Sequence, residues 1–562
     1  MLKSKSYLFL TICISIYSFS SQAQQFDWVN GYENDSYKVH DLDIDSKDNL
    51  IVLGAVDGTM NLGSSGSTTV GSGTRATVVQ KVDSNGTLEW GWSLDGNYNS
   101  PLDLQLSATS HSYILGQFHD NLDFDPSSSG TFILNDSGSI YPDIYLMQIN
   151  EDGSFGWAKR WTNNSQQDYY TSMTLTPDEH IGVFAMYDDS VDVDPSGGIT
   201  TYHTSNTYGA FVSVLDSIGD FAWSADIASS QSTFAYDIFS DQENNIYLHG
   251  TCGSNLTITG SELSSANVTN TVSGTFLIKF TSDGQVDWVH NAAGSIRSYQ
   301  AFVNSNGDIF LSGIFGGTVD FDFSSSGVQS YTSNATFDRF LLRLDSNGMF
   351  EKVVTISGES PYHATSVLQF DATGIYLGYG YQDSIDIDPG SGSTVIYDSL
   401  NSVLVETNED FDLIDHVMLN PRYVRKVRVS SSGALYSSNS FCSTTDFDPG
   451  NDTFNLTPSV DSCNIFIHRM YPNKTVGVER FALNTQSLSI FPNPSSGYTQ
   501  MILPDHVTMS QVEIFDVHGR MVYHNTRSGN RFDMFLSVEP GLYFVRAKDQ
   551  NGALYSGRVI KQ

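Results

Sequence analysis

Phe26-Asp27-Trp28-Val29, close to the start of the chain, is matched by Val286-Asp287-Trp288-Val289 near its middle. The second copy ends a unit that recurs along the chain, whereas the first copy has no such unit in front of it. Each unit reads as an alternating strand, an Ile-Tyr-Leu-x-Gly strand, an acidic loop, and a hairpin that leads into an aromatic strand. The hairpin turns are Asp83-Ser84-Asn85-Gly86, Glu151-Asp152-Gly153, Asp216-Ser217-Ile218-Gly219, Ser282-Asp283-Gly284, Asp345-Ser346-Asn347-Gly348 and Asn408-Glu409-Asp410. Asp or Asn followed by Gly supplies the side-chain hydrogen bond and positive φ that tight turns need. Upstream of them lie Leu50-Ile51-Val52-Leu53-Gly54, Tyr113-Ile114-Leu115-Gly116, Ile246-Tyr247-Leu248-His249-Gly250, Ile309-Phe310-Leu311-Ser312-Gly313 and Ile375-Tyr376-Leu377-Gly378. Their spacing of about 60 to 70 residues is that of a repeat array.

Four strands fit in each unit. A four-stranded antiparallel sheet with apolar residues on both faces cannot stand alone in water, and stacking such sheets around an axis buries both faces. The expected fold is therefore all-β, a seven-bladed β-propeller over residues 24–474. Its fourth strands are marked by Trp28, Trp90, Trp157, Trp223, Trp288, Phe350 and Phe411, while the last unit stops after its third strand, Asn464-Ile465-Phe466-Ile467-His468. The N-terminal strand should pair with that unit and fasten the ring. An open solenoid, the alternative, would need polar capping repeats, and none is evident.

The chain carries 27 Lys+Arg against 63 Asp+Glu, a formal charge of -36. Such a surface repels polyphosphate, so nucleic acid is excluded as a partner. Lys3 and Lys5, the apolar run from Tyr7 to Phe19 and Ser21-Gln22-Ala23 read as a cleaved signal peptide over residues 1–23. No other window is apolar and long enough for a transmembrane helix. Cys13 would leave with the signal, leaving Cys252, Cys442 and Cys463. Cys442 and Cys463 flank one acidic loop on neighbouring strands and can meet disulfide geometry, which an exported protein permits. Cys252 reads as a small buried apolar residue.

Five units carry two acids one residue apart: Asp123 and Asp125, Asp192 and Asp194, Asp320 and Asp322, Asp386 and Asp388, Asp446 and Asp448. In an extended segment both members point to one face. Asp120, Asp189 and Asp383 add a third acid to three of the loops. Two readings stay open. Clustered hard oxygen donors suit calcium, although none of these loops has the twelve-residue EF-hand spacing. The same acids can instead cap tight turns by accepting backbone N–H groups. The first and fourth units carry Asn61-Leu62-Gly63 and Leu256-Thr257-Ile258 instead. Arg422, Arg425, Lys426 and Arg428 form a basic cluster that reads as an ion-paired or solvated strand edge.

After a polar connector (475–486) the pattern changes to short strands with Pro/Gly turns, a small β-sandwich over residues 487–562. Its marks are Pro492-Asn493-Pro494, the run Val512-Glu513-Ile514-Phe515-Asp516-Val517-His518-Gly519-Arg520-Met521-Val522, then Gly541-Leu542-Tyr543-Phe544-Val545, and Lys561 in the closing Arg558-Val559-Ile560-Lys561-Gln562. These residues resemble the type A C-terminal sorting domain of the type IX secretion system. The resemblance implies passage across the outer membrane, removal of the module by a sortase-like peptidase, and release or attachment at the cell surface. The repeats resemble, more loosely, the bacterial β-propeller repeat family. Exported proteins of this kind also carry O-glycans at Asp-Ser-aliphatic triplets, which Asp216-Ser217-Ile218, Asp383-Ser384-Ile385 and Asp398-Ser399-Leu400 resemble.

The chain lacks Gly-x-Ser-x-Gly, His-Glu-x-x-His, P-loop and Cys-x-x-Cys motifs. Paired acids that recur with a repeat do not diagnose a glycosidase. The expected function is a non-enzymatic exported propeller binding a glycan or protein, with calcium as the one cofactor in question. The alternative is a polysaccharide-degrading enzyme whose acids or histidines break the repeat at the propeller channel.

Overall fold

The computed structural model describes most of residues 25–562; outside that description lie 1–24, 63–67, 163–170, 262–265, 269–273, 357–367, 420–425, 472–485, 503–507, 516–520 and several shorter loop stretches. The signal-peptide expectation falls outside it. The described residues are all-β, with no helix, and divide into Gln24–Pro472 and a unit containing Asn473–Gln562.

Within the larger unit, six sheets each contain four strands taken in chain order, short hairpins between the second and third aside, over residues 38–96, 99–161, 171–229, 233–293, 296–356 and 368–419, and are numbered 1 to 6 here. Sheet 7 combines Lys426–Val429, Leu435–Phe441 and Asn464–Tyr471 with the N-terminal strand Gln25–Tyr32. Second and third strands are buried on both faces: Leu50–Val56 and Asp143–Ile149 have no exposed residue, which is why they read as unbroken apolar runs. These sheets, stacked side by side, make the β-propeller fold.

Register shows how the N-terminal strand fits. In sheets 1 to 4, Trp90, Trp157, Trp223 and Trp288 stand opposite Lys81, Gln148, Val214 and Lys279, each beside a bulge. Trp28 stands opposite Arg469 with the same bulge, and Gly31 stands opposite Phe466. The N-terminal strand thus occupies the slot of a fourth strand. Phe350 and Phe411 do not share the Trp position, contrary to expectation. Lys352, opposite Arg343, and Asp415, opposite Glu406, hold that slot in sheets 5 and 6. Phe350 lies two residues earlier, and Phe411 lies in the turn with φ 60. An aromatic residue near the turn does not by itself fix the register.

The Trp residues latch sheet to sheet. Nε1 of Trp28, Trp90, Trp157 and Trp223 donates to the carbonyls of Ser84, Glu151, Ser217 and Ser282, each in the hairpin turn of the following sheet, at 3.0 to 3.3 Å. The turn glycines Gly86, Gly153, Gly219, Gly284 and Gly348 have positive φ and lie under the rings of Trp28, Trp90, Trp157, Trp223 and Trp288. A Cβ added at any of them would come within 2.7 to 3.0 Å of the ring. Glycine is therefore required twice at this position, once for the backbone and once for the approach of the indole. Between sheets 5 and 6 the aromatic changes sides. Phe411 fills the turn position, its ring centroid 6.0 Å from Lys352 Nζ, and Lys352 donates to Asp410 O.

Sheet 3 is extended at its edge. The fourth unit's loop forms Leu256–Gly260 and Ala266–Val268, and the first of these pairs with Phe221–Ser229. A strand that must pair has no place for turn-forming acids, which accounts for Leu256-Thr257-Ile258 at this position.

The C-terminal unit holds a five-stranded and a three-stranded sheet around Leu488, Met501, Val512, Ile514, Phe532, Tyr543, Val545, Ala547, Tyr555 and Val559.

Candidate functional site

The acidic pairs sit on short hairpins between second and third strands. The first acid of each pair accepts two backbone N–H groups through Oδ1. Asp123 takes those of Asp125 (3.1 Å) and Phe132 (2.8 Å), and Asp192 those of Asp194 (3.2 Å) and Thr200 (2.9 Å). Asp320, Asp386 and Asp446 repeat the pattern with Asp322 and Gln329, Asp388 and Thr394, and Asp448 and Phe454. The second acid caps the next turn: Asp125, Asp194 and Asp388 accept from Ser127, Ser196 and Gly390 at 2.9 Å. Between the two acids, Phe124, Val193, Phe321, Ile387 and Phe447 are buried in the core. The alternation is that of a strand, with the middle residue inward and both carboxylates outward.

Asp120 and Asp189 hold turn positions with φ 63 and 64, where the first and fifth units use Gly58 and Gly317. Asp383 lies at a register shift opposite the backbone of Asp398, and its side chain is outside the described residues. Among the described residues no group of three His, Cys, Asp or Glu side chains is gathered as a metal-ligand set. Glycine again completes the motif: a Cβ at Gly130, Gly198, Gly327 or Gly392 would lie 1.6 to 2.1 Å from Oδ2 of Asp125, Asp194, Asp322 or Asp388. Each of these glycines follows its acid by four or five residues, and that spacing is the signal in the sequence for the capped turn.

A second set of carboxylates was missed. The first strands of sheets 1 to 6 lie against one another in sequence, and that of sheet 7 lies against that of sheet 1. Their acids tie neighbours together. Asp43 Oδ2 accepts from the N–H of Leu106 (2.9 Å), and Asp103 Oδ2 accepts from Ser172 Oγ (2.6 Å) and the N–H of Met173 (3.0 Å). The bonds of Asp43 and Asp103 satisfy part of the unpaired edge of the first strands of sheets 2 and 3. Asp237 Oδ1 accepts from the N–H of Ile238 in its own strand (3.0 Å), and its Oδ2 is buried with no hydrogen-bond partner among the described residues. Asp41 receives Lys426 Nζ at 3.1 Å and Arg428 at 3.2 Å. Two members of the basic cluster are thus ion-paired, and Arg422 and Arg425 fall outside the described residues.

Electrostatics separates these acids. Burial alone would raise the Asp41 carboxyl, but Lys426 and Arg428 hold it below its usual range. Burial lifts Asp43 to about 6 despite Arg428 nearby. Burial, then the charge of Asp41, raises Asp103; burial, then the charge of Asp103, raises Asp237 well above a normal carboxylate. His249 and Ser298 face each other between sheets 4 and 5 at 2.6 Å, and burial pushes the imidazole down to about 3. Both are buried, so the pair offers no exposed nucleophile. Cys442 and Cys463 form a disulfide, and Cys252 is buried in the core shared by sheets 3 and 4.

In the C-terminal unit the opening segment is tied to the last strand. Asn493 Nδ2 donates to Arg558 O (2.7 Å), and its Oδ1 accepts from the N–H of Ile560 (2.9 Å). Ser495 N–H donates to Ile560 O, and Gln562 N–H to Ser495 O. Gly541 pairs with Lys561, and Tyr543 is buried. Pro492 and Pro494 are exposed, and Asp516 and Gly519 lie outside the described residues.

Residues 489–562 match the family model of the secretion system C-terminal sorting domain. That match marks the chain for export by type IX secretion to the cell surface or extracellular space. No curated protein matches the chain. Among solved structures it is similar to the Dos1 propeller, at 9% identity over 79% of this chain and 95% of that one, TM-score 0.37. It is similar to the WD40 β-propeller domain of Doa1, at 10% identity over 80% and 97%, TM-score 0.33. It also aligns with dimeric latent PorU from Porphyromonas gingivalis, at 11% identity over 82% of this chain and 33% of that one, TM-score 0.12. The architecture described above rests on strand pairing, not on these likenesses.

Proposed function

We propose that this is a non-enzymatic β-propeller that binds a glycan or protein at the outer cell surface, delivered there by its C-terminal module after removal of a signal peptide. The module is handled by the secretion machinery and its sortase-like peptidase. The seven sheets are the blades of one closed ring, fastened where Gln25–Tyr32 pairs with Asn464–Tyr471 and Trp28 reaches sheet 1. One observation carries the non-enzymatic reading. The acids that the sequence offers in the hairpins, and Asp43 and Asp103 on the first strands, are engaged as backbone acceptors within and between sheets. The acidic hairpins are read as capped turns, not calcium sites. The purified mature chain, screened against glycans and polysaccharides, should retain ligand without releasing shortened products. Turnover of any polysaccharide would refute the reading.

The alternative, a polysaccharide-degrading enzyme, needs an acid and a base open to substrate. On the first strand of sheet 1, Asp41 is buried against Lys426 and Arg428, and both oxygens of Asp43 accept backbone N–H groups, of Ile44 and Leu106.

A further inference from the structure

The three-stranded sheet of the C-terminal unit turns one face inward, through Ile490, Met501 and Phe532, which pack in its core. Its other face carries aromatic residues into solvent: Phe491 is 47% exposed, Tyr498 55% and Phe535 68%. Tyr498 and Phe535 are direct cross-strand partners, while Phe491 stands opposite Gln500, two residues along from Tyr498. Cross-strand and diagonal neighbours lie within side-chain reach, so the three rings form one patch, and Pro492 and Pro494, which follow Phe491 in the chain, are also exposed. An outward sheet face is normally polar, and a contiguous aromatic patch on a small module marks a contact surface.

We infer that this aromatic face is the surface by which a protein component of the secretion apparatus reads the module, through an apolar patch of its own. The inference rests on the reading of residues 489–562 as a sorting domain, and it names the part of that domain that is recognised. The family match itself supplies the occupant, because a domain that sorts a chain must be contacted by the system that exports it. Tyr and Phe are the residues that anchor such contacts. The patch is also held in one shape before any partner arrives. Gly497 lies beneath the Phe535 ring, and Asn493 bonds to the last strand on both its amide groups. The strand Leu554–Lys561 thereby fixes the segment that displays Phe491.

The test uses the full chain in a bacterium whose type IX system exports it. Phe491→Ser, Tyr498→Ser and Phe535→Ser are combined, with Gln511→Ala and Lys548→Ala on the five-stranded sheet as the control. The exported fraction of the triple variant should fall roughly tenfold, as expected when aromatic anchors are lost. The control should export normally, and circular dichroism and melting of the triple variant should match wild type. Should the triple variant melt early, Phe535→Ser alone, at the most exposed ring, carries the test. Wild-type export of a folded variant overturns the inference. So does sedimentation showing that the patch pairs two copies of wild type while export of the variant is unchanged. Deletion of residues 487–562 separates the two levels: undiminished export of the deleted chain defeats the sorting reading itself, whereas blocked export beside a normally exported triple variant defeats the patch alone.

Discussion

Replacing Trp28 by Ala probes whether a strand joined to sheet 7 only by non-covalent contacts performs as a covalently connected fourth strand does. Trp28 is half-buried, its ring covers Gly86, and its Nε1 donates to Ser84 O at 3.0 Å. A Trp side chain with roughly half its area covered buries about 100 Å² of apolar surface, worth about 2.5 kcal/mol at about 25 cal/mol per Å². The lost hydrogen bond adds about 1 kcal/mol. The unfolded chain already buries part of that area, so about 3 kcal/mol is the expected loss. Trp157→Ala is the reference, since Trp157 makes the same contacts to Gly219 and Ser217 O from within a continuous hairpin. Urea unfolding of the mature protein, followed by intrinsic fluorescence, should give losses for the two variants that agree within about 1 kcal/mol. A loss below about 0.5 kcal/mol for Trp28→Ala beside a full loss for Trp157→Ala would mean that the N-terminal strand frays as chain ends commonly do, and the ring reading would fall.

Gly153→Ala should cost about 1 to 3 kcal/mol more than Gly58→Ala: both glycines have positive φ, but an added Cβ meets the Trp90 ring at 2.7 Å in the first case and nothing within 4 Å in the second. Comparative thermal melts would show it. Asp43 has a folded pKa of about 6 above the unfolded 3.8, so the folded state binds its proton more tightly and this group adds stability as pH falls from 7 towards 4. Asp43→Asn should remove about 2 kcal/mol of that pH dependence in urea titrations at pH 7 and pH 4.5, and an unchanged slope would assign the behaviour elsewhere. Asp123→Asn keeps an Oδ1 acceptor for Asp125 and Phe132, so the midpoint should move little, and millimolar calcium against chelator should shift wild type by no more than about 1 °C. Binding of calcium at several hairpins would produce a large rise instead. Reduction of Cys442–Cys463, which closes a span of 21 residues, should cost about 3 kcal/mol by loop entropy, measured by melting with and without reductant.

What could be read in advance divides along a physical line. A contact made once per sheet leaves its residues at a fixed interval, so the hairpin turns, the buried second strands and four of the Trp positions were all visible as repetition. Even Trp28 was legible, because it belongs to that series although its partner Arg469 lies at the far end of the larger unit. Failures began where one contact has two chemical solutions. Between sheets 5 and 6 the ring moves from strand to turn, so Lys352 and Phe411 exchange the roles of Trp and Gly, and a search for aromatic letters locates a ring without locating its register. The acidic pairs show a second limit. Their alternation predicted two carboxylates on one face, but what those carboxylates do is set by N–H groups eight or nine residues onward, across a hairpin whose length varies. Asp41 with Lys426 and Arg428 shows a third. That contact is made once, between the first and last sheets, and a contact made once leaves no interval to detect. Only the packing of the first strand of sheet 7 against that of sheet 1 brings those residues together, so a test of the Trp28 strand, which completes sheet 7, is also a test of why Asp41 is held below its usual range.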